Sequence, residues 1–267
     1  MTPVPGAWNF RDVTVSTSGT VRPGRLFRSG ELTKLDNSGL DRLRQLGVTD
    51  VADLRSAREV ERHGADLVPE GVDVHLLPFL ETVATVDSEV PHEHAFQRLL
   101  TEPHDNESLA EAGRRYMTEE YRRFATAEGA RRAVHRMVTL LGDGGTVLAH
   151  CFAGKDRTGF AVAIVLEAAG VDRDDVMADY LGSNEAIPQL RKQVMEMIHT
   201  RLEDGITSEA EEFTRSRLSE DVLGVRAEYL EAAWETVRGA HGSVTGYLRA
   251  AGVTDDGITR LRNTLLG

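Results

Sequence analysis

The sequence predicts an α/β sandwich whose C-terminal third is helical. Three observations carry that reading. Strand-like runs alternate with helix-spaced leucines through the first third of the chain. The apolar run "GGTVLAH" (144–150) leads, through one short polar loop, into an almost wholly apolar helix from Thr158 to Ala169. Such a pair belongs in the middle of a sheet covered by helices. Everything after Asn184 reads as helix.

In chain order, "VTVSTSGTV" (13–21) alternates β-branched residues about Ser18–Gly19 and reads as a small hairpin. "GRLFRS" (24–29), "VTDVADLR" (48–55) and "VDVHLLPF" (72–79) read as strands, the last ended by Pro78. Between the first two of these, Leu35, Leu40, Leu43 and Leu46 share one helix face that Gly47 terminates. Residues 80–106 are acidic, polar and dotted with prolines, and read as a long loop. Its histidines, His92, His94 and His104, are spaced too loosely for a metal site and read as solvated. One helix then carries Leu109, Tyr116, Met117, Tyr121 and Phe124, and a second runs from Gly129 to Leu141 with Gly142 past its end. Gly170 stops the apolar helix, and Asp172 to Gly182 forms another. With no repeat and no low-complexity linker, residues 1–267 read as a single domain.

Composition narrows the function. Of 267 residues 40% are hydrophobic, enough for a substantial core, and the net charge is −12. That charge argues against nucleic acid, whose phosphates need a basic face, and more weakly against anionic membranes. The pairs Arg114–Arg115, Arg122–Arg123 and Arg131–Arg132 read as solvated helix faces. The longest apolar run, Phe160 to Leu166, is too short to span a bilayer, so no stable membrane insertion is expected. "MTPVPGAWNF" shows no signal-peptide pattern, and the expectation is a soluble, cytoplasmic protein. The oligomeric state is left open.

The one cysteine, Cys151, allows no intramolecular disulfide and cannot alone hold a structural zinc. It ends the buried strand and opens "HCFAGKDRTG" (150–159). The N–H groups of Phe152, Ala153, Gly154, Lys155, Asp156 and Arg157 lie between the two elements, with Thr158 opening the helix, and can curl into an anion nest backed by the helix dipole. Gly154 permits the tight curl, and Gly159 permits close packing of the helix. The same field favours a thiolate, the reactive form of cysteine. Arg157, six residues after Cys151, can offer two parallel N–H bonds to a phosphoryl group. Lysine occurs only at 34, 155 and 192, so Lys155 stands out where arginine is the usual cation. A Walker loop would need Ser or Thr after Lys155, and a dinucleotide fingerprint would need glycine at Val147.

Cys-x5-Arg-Thr is the motif of the cysteine-dependent phosphatases. "PGAWNFRDV", "RPGRLFRSGEL", "GVTDVADLRSAREV", "DVHLLPF", "RYMTEEYRRF", "HCFAGKDRTGF", "ADYLGSN" and "VLGVRAEYL" resemble the mycobacterial B-type branch of the protein tyrosine phosphatases. The resemblance spans nearly the whole chain and is weakest in 80–106. It implies a mostly parallel sheet and a two-helix lid, residues 187–220, over the cysteine loop. It also implies broad phosphomonoester hydrolysis covering phosphotyrosine, phosphoserine/threonine and phosphoinositides, and it leaves export without a leader open. Carried over residue by residue, it implies Cys151 as nucleophile, Arg157 as phosphate clamp, and Lys155 and Asp156 as functional loop members. Lys155 would meet a second phosphate on a phosphoinositide. Where the family has an aspartate after "LLPF", this chain has Glu81.

The expected reaction is attack of Cys151 on phosphorus, followed by hydrolysis of a cysteinyl-phosphate. No metal and no cofactor are required, because Arg157 and the nest stabilise the equatorial oxygens. Thr158 can donate to the sulfur as it leaves, and His150 can order the loop. As general acid, Asp156 is the first candidate and Glu81 the second, while Asp53, at a strand end, reads as holding a neighbouring arginine or helix. A non-catalytic phospho-binding module would lack Cys151 or Arg157, and a sulfurtransferase has no need of the Arg-Thr pair. The expected partners are phosphoprotein or phosphoinositide substrates.

Overall fold

The computed structural model describes residues 3–80, 108–202 and 223–266. A sheet of five strands forms the centre, built from β1 (Arg11–Asp12), β2 (Leu26–Ser29), β3 (Asp50–Asp53), β4 (Asp73–Leu76) and β5 (Val147–His150). Its order is β1-β2-β5-β3-β4, antiparallel only between β1 and β2 and parallel elsewhere. The strand readings at 24–29, 48–55, 72–79 and 144–150 each hold a shorter observed strand.

Alternation along the strands divides the core in two. Leu26, Ala52, Val147 and Ala149 join one cluster. Phe27, Val51 and Leu148 join the other, with Leu43 of α1 (Asn37–Gln45). The first cluster is the larger and contains α4 (Glu128–Gly142) and α5 (Asp156–Ala169), where Phe160 to Leu166 are all buried. The C-terminal helices share that core. Tyr229 and Trp234 of α8 (Ala227–His241), Tyr247 of α9 (Val244–Ala250) and Leu261 of α10 (Asp255–Leu265) are buried in it. Helix α8 packs along α3 (Leu109–Thr126), and α10 packs on α4. No described helix is long and apolar enough to cross a membrane.

One expectation is corrected. Residues 13–21 are not a hairpin, since Val13–Ser16 forms a 3-10 turn. The Asp12 carboxylate accepts from the N–H groups of Thr14 (3.0 Å) and Gly24 (2.7 Å), which curls the chain before a strand can extend. The Ser18–Gly19 turn is present, both residues having positive φ (49° and 78°). Helix α2 (Ala57–His63) lies beyond the strand expected at 48–55, in a stretch to which the sequence reading assigned no element, and a capping box between Ser56 and Glu59 starts it. The loop reading of 80–106, with its histidines, lies outside the described residues apart from Leu80.

Close approach at α4 generates a paired prediction. A Cβ on Gly129 would lie 2.3 Å from the Pro78 oxygen and 2.6 Å from that of Phe79, whereas one on Gly239 of α8 would meet nothing within 4 Å. Gly129→Ala should therefore cost about 1–3 kcal/mol and lower Tm by roughly 2–10 °C. Gly239→Ala should gain up to ~1 kcal/mol. Thermal unfolding of the two variants should show opposite signs.

Candidate active site

Strand register delivers the site. Ser29, His150 and Asp53 pair across β2, β5 and β3, so their carboxyl ends finish level, and the chain leaves β5 into the cysteine loop at that edge. Cys151 is 2% exposed, and α5 begins at Asp156, two residues earlier than its apolar run. Asp156 and Arg157 therefore sit in the first helical turn, and no side chain caps that end.

The loop's carbonyls are pulled outward one after another. The Phe152 oxygen accepts from the Glu31 N–H at 3.0 Å. Asn9 Nδ2 donates to the oxygens of Ala153 (3.0 Å) and Gly154 (3.1 Å). Arg28 Nη2 donates to Gly154 (2.8 Å) and reaches Lys155 (3.4 Å). With the oxygens held from outside, the N–H groups are left to line the inside of the curl. Gly154 has φ +66°, and a Cβ there would fall 2.0 Å from the Ser29 oxygen, so both conformation and space require glycine. At Gly159 a Cβ would lie 2.9 Å from the Tyr180 ring.

These anchors are themselves fixed. Asp179 of α6 (Arg173–Leu181) receives Arg28 Nη1 at 2.5 Å and Arg11 Nε at 3.1 Å. Arg11 Nη1 holds the Asn9 oxygen at 2.7 Å, and Asn9 itself adopts φ 53°. Sequence reasoning assigned no role to Asn9, Arg11, Arg28 or Asp179, although all fall within segments that carry the family resemblance.

Arg157 is gripped from behind by Glu59, with both terminal nitrogens 2.7 Å from a carboxylate oxygen. Burial opposes its charge, but Glu59 and the Cys151 sulfur more than offset this and hold the guanidinium above its ordinary value. Glu59 also closes the capping box of α2, accepting from the Ser56 N–H at 2.8 Å. It is the main functional residue that sequence reasoning missed, and the Ser56-x-x-Glu59 spacing was the available signal.

Behind Cys151 lies a buried charge network. His150 Nε2 meets Asp66 Oδ2 at 2.8 Å, and Asp66 and Asp53 both bind Arg55. Burial disfavours charge on His150, yet Asp53 and Asp66 outweigh it and raise its pKa above the ordinary 6.5. Burial likewise opposes charge on Asp66, which His150 and Arg55 reverse, lowering it below 3.8. One donor atom each from Asp53, Asp66 and His150 lie within 4.8 Å of one another, the spacing of a metal site. Arg55 already supplies the positive charge there.

Asp156 Oδ1 accepts from the Tyr121 hydroxyl at 3.2 Å, and Tyr121 accepts from Tyr180 at 2.8 Å. Lys155 Nζ lies 3.5 Å from Asp156 Oδ2 and donates to the Gly224 oxygen at 3.2 Å. The Thr158 hydroxyl is buried without a hydrogen-bond partner among the described residues. Phe152 packs edge-on against Trp8 and His63. Ala153 shares an apolar cluster with Leu190 and Val194 of α7 (Ile187–Leu202) and with Ala112 and Leu223. Residues 203–220, and the alternative acid Glu81, lie outside the described residues.

A cysteine at the carboxyl end of a central parallel strand, a main-chain cradle and an arginine in the following turn define a cysteine-loop phosphatase. The profile of the tyrosine phosphatase family matches residues 2–267, and the chain belongs to that family. It is 56% identical to the triple specificity protein phosphatase PtpB of Mycobacterium tuberculosis, over 99% of this chain and 98% of that one. A relative in Cupriavidus necator named as a tyrosine-protein phosphatase is 32% identical over 92% of this chain and 80% of its own. A tyrosine-protein phosphatase of Nostoc commune is 27% identical over 88% and 72%. The protein is a protein-tyrosine phosphatase, and phosphoproteins are its substrates.

Two predictions follow from the groups behind the loop. Glu59→Gln should lower kcat about 10- to 100-fold while the protein stays folded, because Arg157 loses its two-point orientation. Steady-state kinetics beside a thermal melt will check it, and unchanged kcat would make Glu59 a helix cap only. The raised His150 value predicts stability fully present below 6.5 and lost as pH rises through the folded value. The lowered Asp66 value predicts stability present above 3.8 and lost as pH falls through its folded value. Urea unfolding of wild type and His150→Gln at about pH 6 and about pH 9 should give a stability difference that shrinks at the higher pH.

Proposed function

We propose that this phosphatase works through a cysteinyl-phosphate on Cys151 and accepts phosphoserine and phosphothreonine as well as phosphotyrosine. The observation that carries the mechanism is the outward anchoring of the carbonyls of Phe152 to Lys155, which makes the loop an anion cradle centred on the sulfur. The name of the Mycobacterium tuberculosis relative supports the wider substrate range. A phosphoinositide is the alternative substrate. Lys155, the side chain offered to its second phosphate, already bonds the Gly224 carbonyl, so the protein substrate is the reading kept.

In the first half the Cys151 thiolate attacks phosphorus, the S–P bond forms, and the ester P–O bond breaks. The cradle N–H groups and Arg157 hold the three equatorial oxygens. In the second half water attacks phosphorus, the P–S bond breaks, and the sulfur departs as thiolate while Thr158 donates to it. Asp156, accepting from Tyr121 and flanked by Lys155, takes the proton that the water loses. Leu190 and Val194 of α7 share an apolar cluster with Ala153, which supports the reading of 187–220 as a lid that opens to admit substrate.

Cys151→Ser should abolish hydrolysis of p-nitrophenyl phosphate yet retain phosphopeptide binding, and substantial residual turnover would remove the nucleophile assignment. Arg157→Lys should lose at least ~100-fold in kcat, since an ammonium cannot make the two-pronged contact. Asp156→Asn should keep the first-turnover burst but slow the steady state, trapping the cysteinyl-phosphate for mass spectrometry. Replacing 187–220 by a short polar linker should leave a folded enzyme, active on small substrates and inactivated faster by peroxide. Loss of cooperative unfolding would mean that these residues are core.

A further inference from the structure

The first half of the reaction needs a proton for the departing oxygen, and Asp156 is poorly suited to give it. One of its oxygens accepts from Tyr121, and the other faces the Lys155 ammonium. A second carboxyl is close enough to feel its charge. Glu120 is on α3, immediately before Tyr121, and its side chain is only 6% exposed. Its Oε1 receives Arg123 Nη1 at 2.6 Å. Its Oε2 is buried and has no hydrogen-bond partner among the described residues. One turn earlier on the same helix, Tyr116 packs into the cluster that contains Phe152 and Ala153 of the cysteine loop.

We propose that Glu120 is the proton donor to the leaving oxygen, working in sequence with Asp156. The assignment rests on the cysteinyl-phosphate reading above. The groups that act on Glu120 are Arg123 on its own helix and Asp156 and Arg157 on α5. Burial raises its pKa above the ordinary 4.5, the two arginines oppose that rise, and Asp156 adds to it. Glu120 thus offers a desolvated carboxyl with an open oxygen, whereas Asp156 already accepts from Tyr121 and faces Lys155.

The proton balance closes. As the S–P bond forms and the ester P–O bond breaks, the departing oxygen keeps the electron pair and takes the Glu120 proton, leaving a carboxylate. Water then attacks phosphorus, the P–S bond breaks, and the water's proton goes to Asp156. Return of that proton to Glu120 restores both groups. The net reaction is ester plus water giving alcohol and phosphate.

The test compares Glu120→Gln with wild type on aryl phosphates whose leaving phenols range from acidic to basic. A positioned general acid contributes about 10²- to 10⁴-fold. The variant should therefore lose at least ~100-fold in kcat/KM on phenyl phosphate and less than about 3-fold on an activated nitrophenyl ester. Its rate on phenyl phosphate should also lose the fall that wild type shows as pH rises through the acid's pKa. An equal loss on all esters, or a leaving-group-dependent loss in Asp156→Asn instead, would overturn the assignment. If Glu120→Gln fails to fold, Glu120→Asp keeps the acid and is read on the same series, with intermediate loss on phenyl phosphate expected and equal loss overturning it. Acid trapping of phosphocysteine in wild type separates the two readings. Without that intermediate the mechanism above fails, whereas with it a flat leaving-group series removes Glu120 alone.

Discussion

The outward hold on the cysteine loop is the constraint on which the site depends. A loop from Cys151 to Lys155 left to itself would turn carbonyl oxygens inward as readily as N–H groups, and an oxygen facing a phosphate repels it. Asn9, Arg28 and the Glu31 N–H decide the matter by drawing the oxygens out. Most of the remaining architecture serves those donors. Strand β2 carries Arg28, the short β1 pairs beside it at Arg11↔Arg28, and α6 brings Asp179 to hold both arginines. The two-residue β1 is thus a positioning device as much as a strand.

A second layer fixes the arginine. Arg28, Arg55 and Arg157 are all buried, each against carboxylates. Burying such pairs costs several kcal/mol per ion before any attraction is counted, and well-packed apolar side chains would often be as stable. Apolar side chains cannot set a guanidinium plane or turn a carbonyl, however, and here these pairs do both. The ion pairs are better understood as geometry than as stability, and the large apolar cluster around α4, α5 and the C-terminal helices is what makes them tolerable.

How much of this was legible in the sequence follows from the range of the interactions. The strands, α1, α3, α4 and α5 follow from local periodicity, and the cysteine loop from residues contiguous between 150 and 159. The partners of the loop are distant. Asn9 acts across 144 and 145 residues, Glu59 across 98 and Asp179 on Arg28 across 151, and no local pattern reports such a pairing. The hairpin expected at 13–21 failed for the opposite reason. A single side chain, Asp12, overrode the β-branched alternation by bonding two N–H groups. Glu59 lay between these cases, visible locally as half of a capping box but not as the holder of Arg157.

Apolar clusters flank the cysteine loop. Phosphate chemistry in the cradle requires low dielectric around Arg157 and the sulfur, and the described residues supply it from two sides. From below, β5 and α5 are apolar almost throughout. From above, Leu190 and Val194 join Ala153 in an apolar cluster, while Gly224, just beyond Leu223 of the same cluster, accepts from Lys155. Among the described residues the upper seal is by far the smaller, a few side chains against a core that runs from Val13 to Leu265. Apolar burial scales with area, so opening the upper seal is the cheaper motion by a wide margin. An opening there leaves in place the strand, the helix and the outward hold that make the cradle, which is what the proposed lid requires.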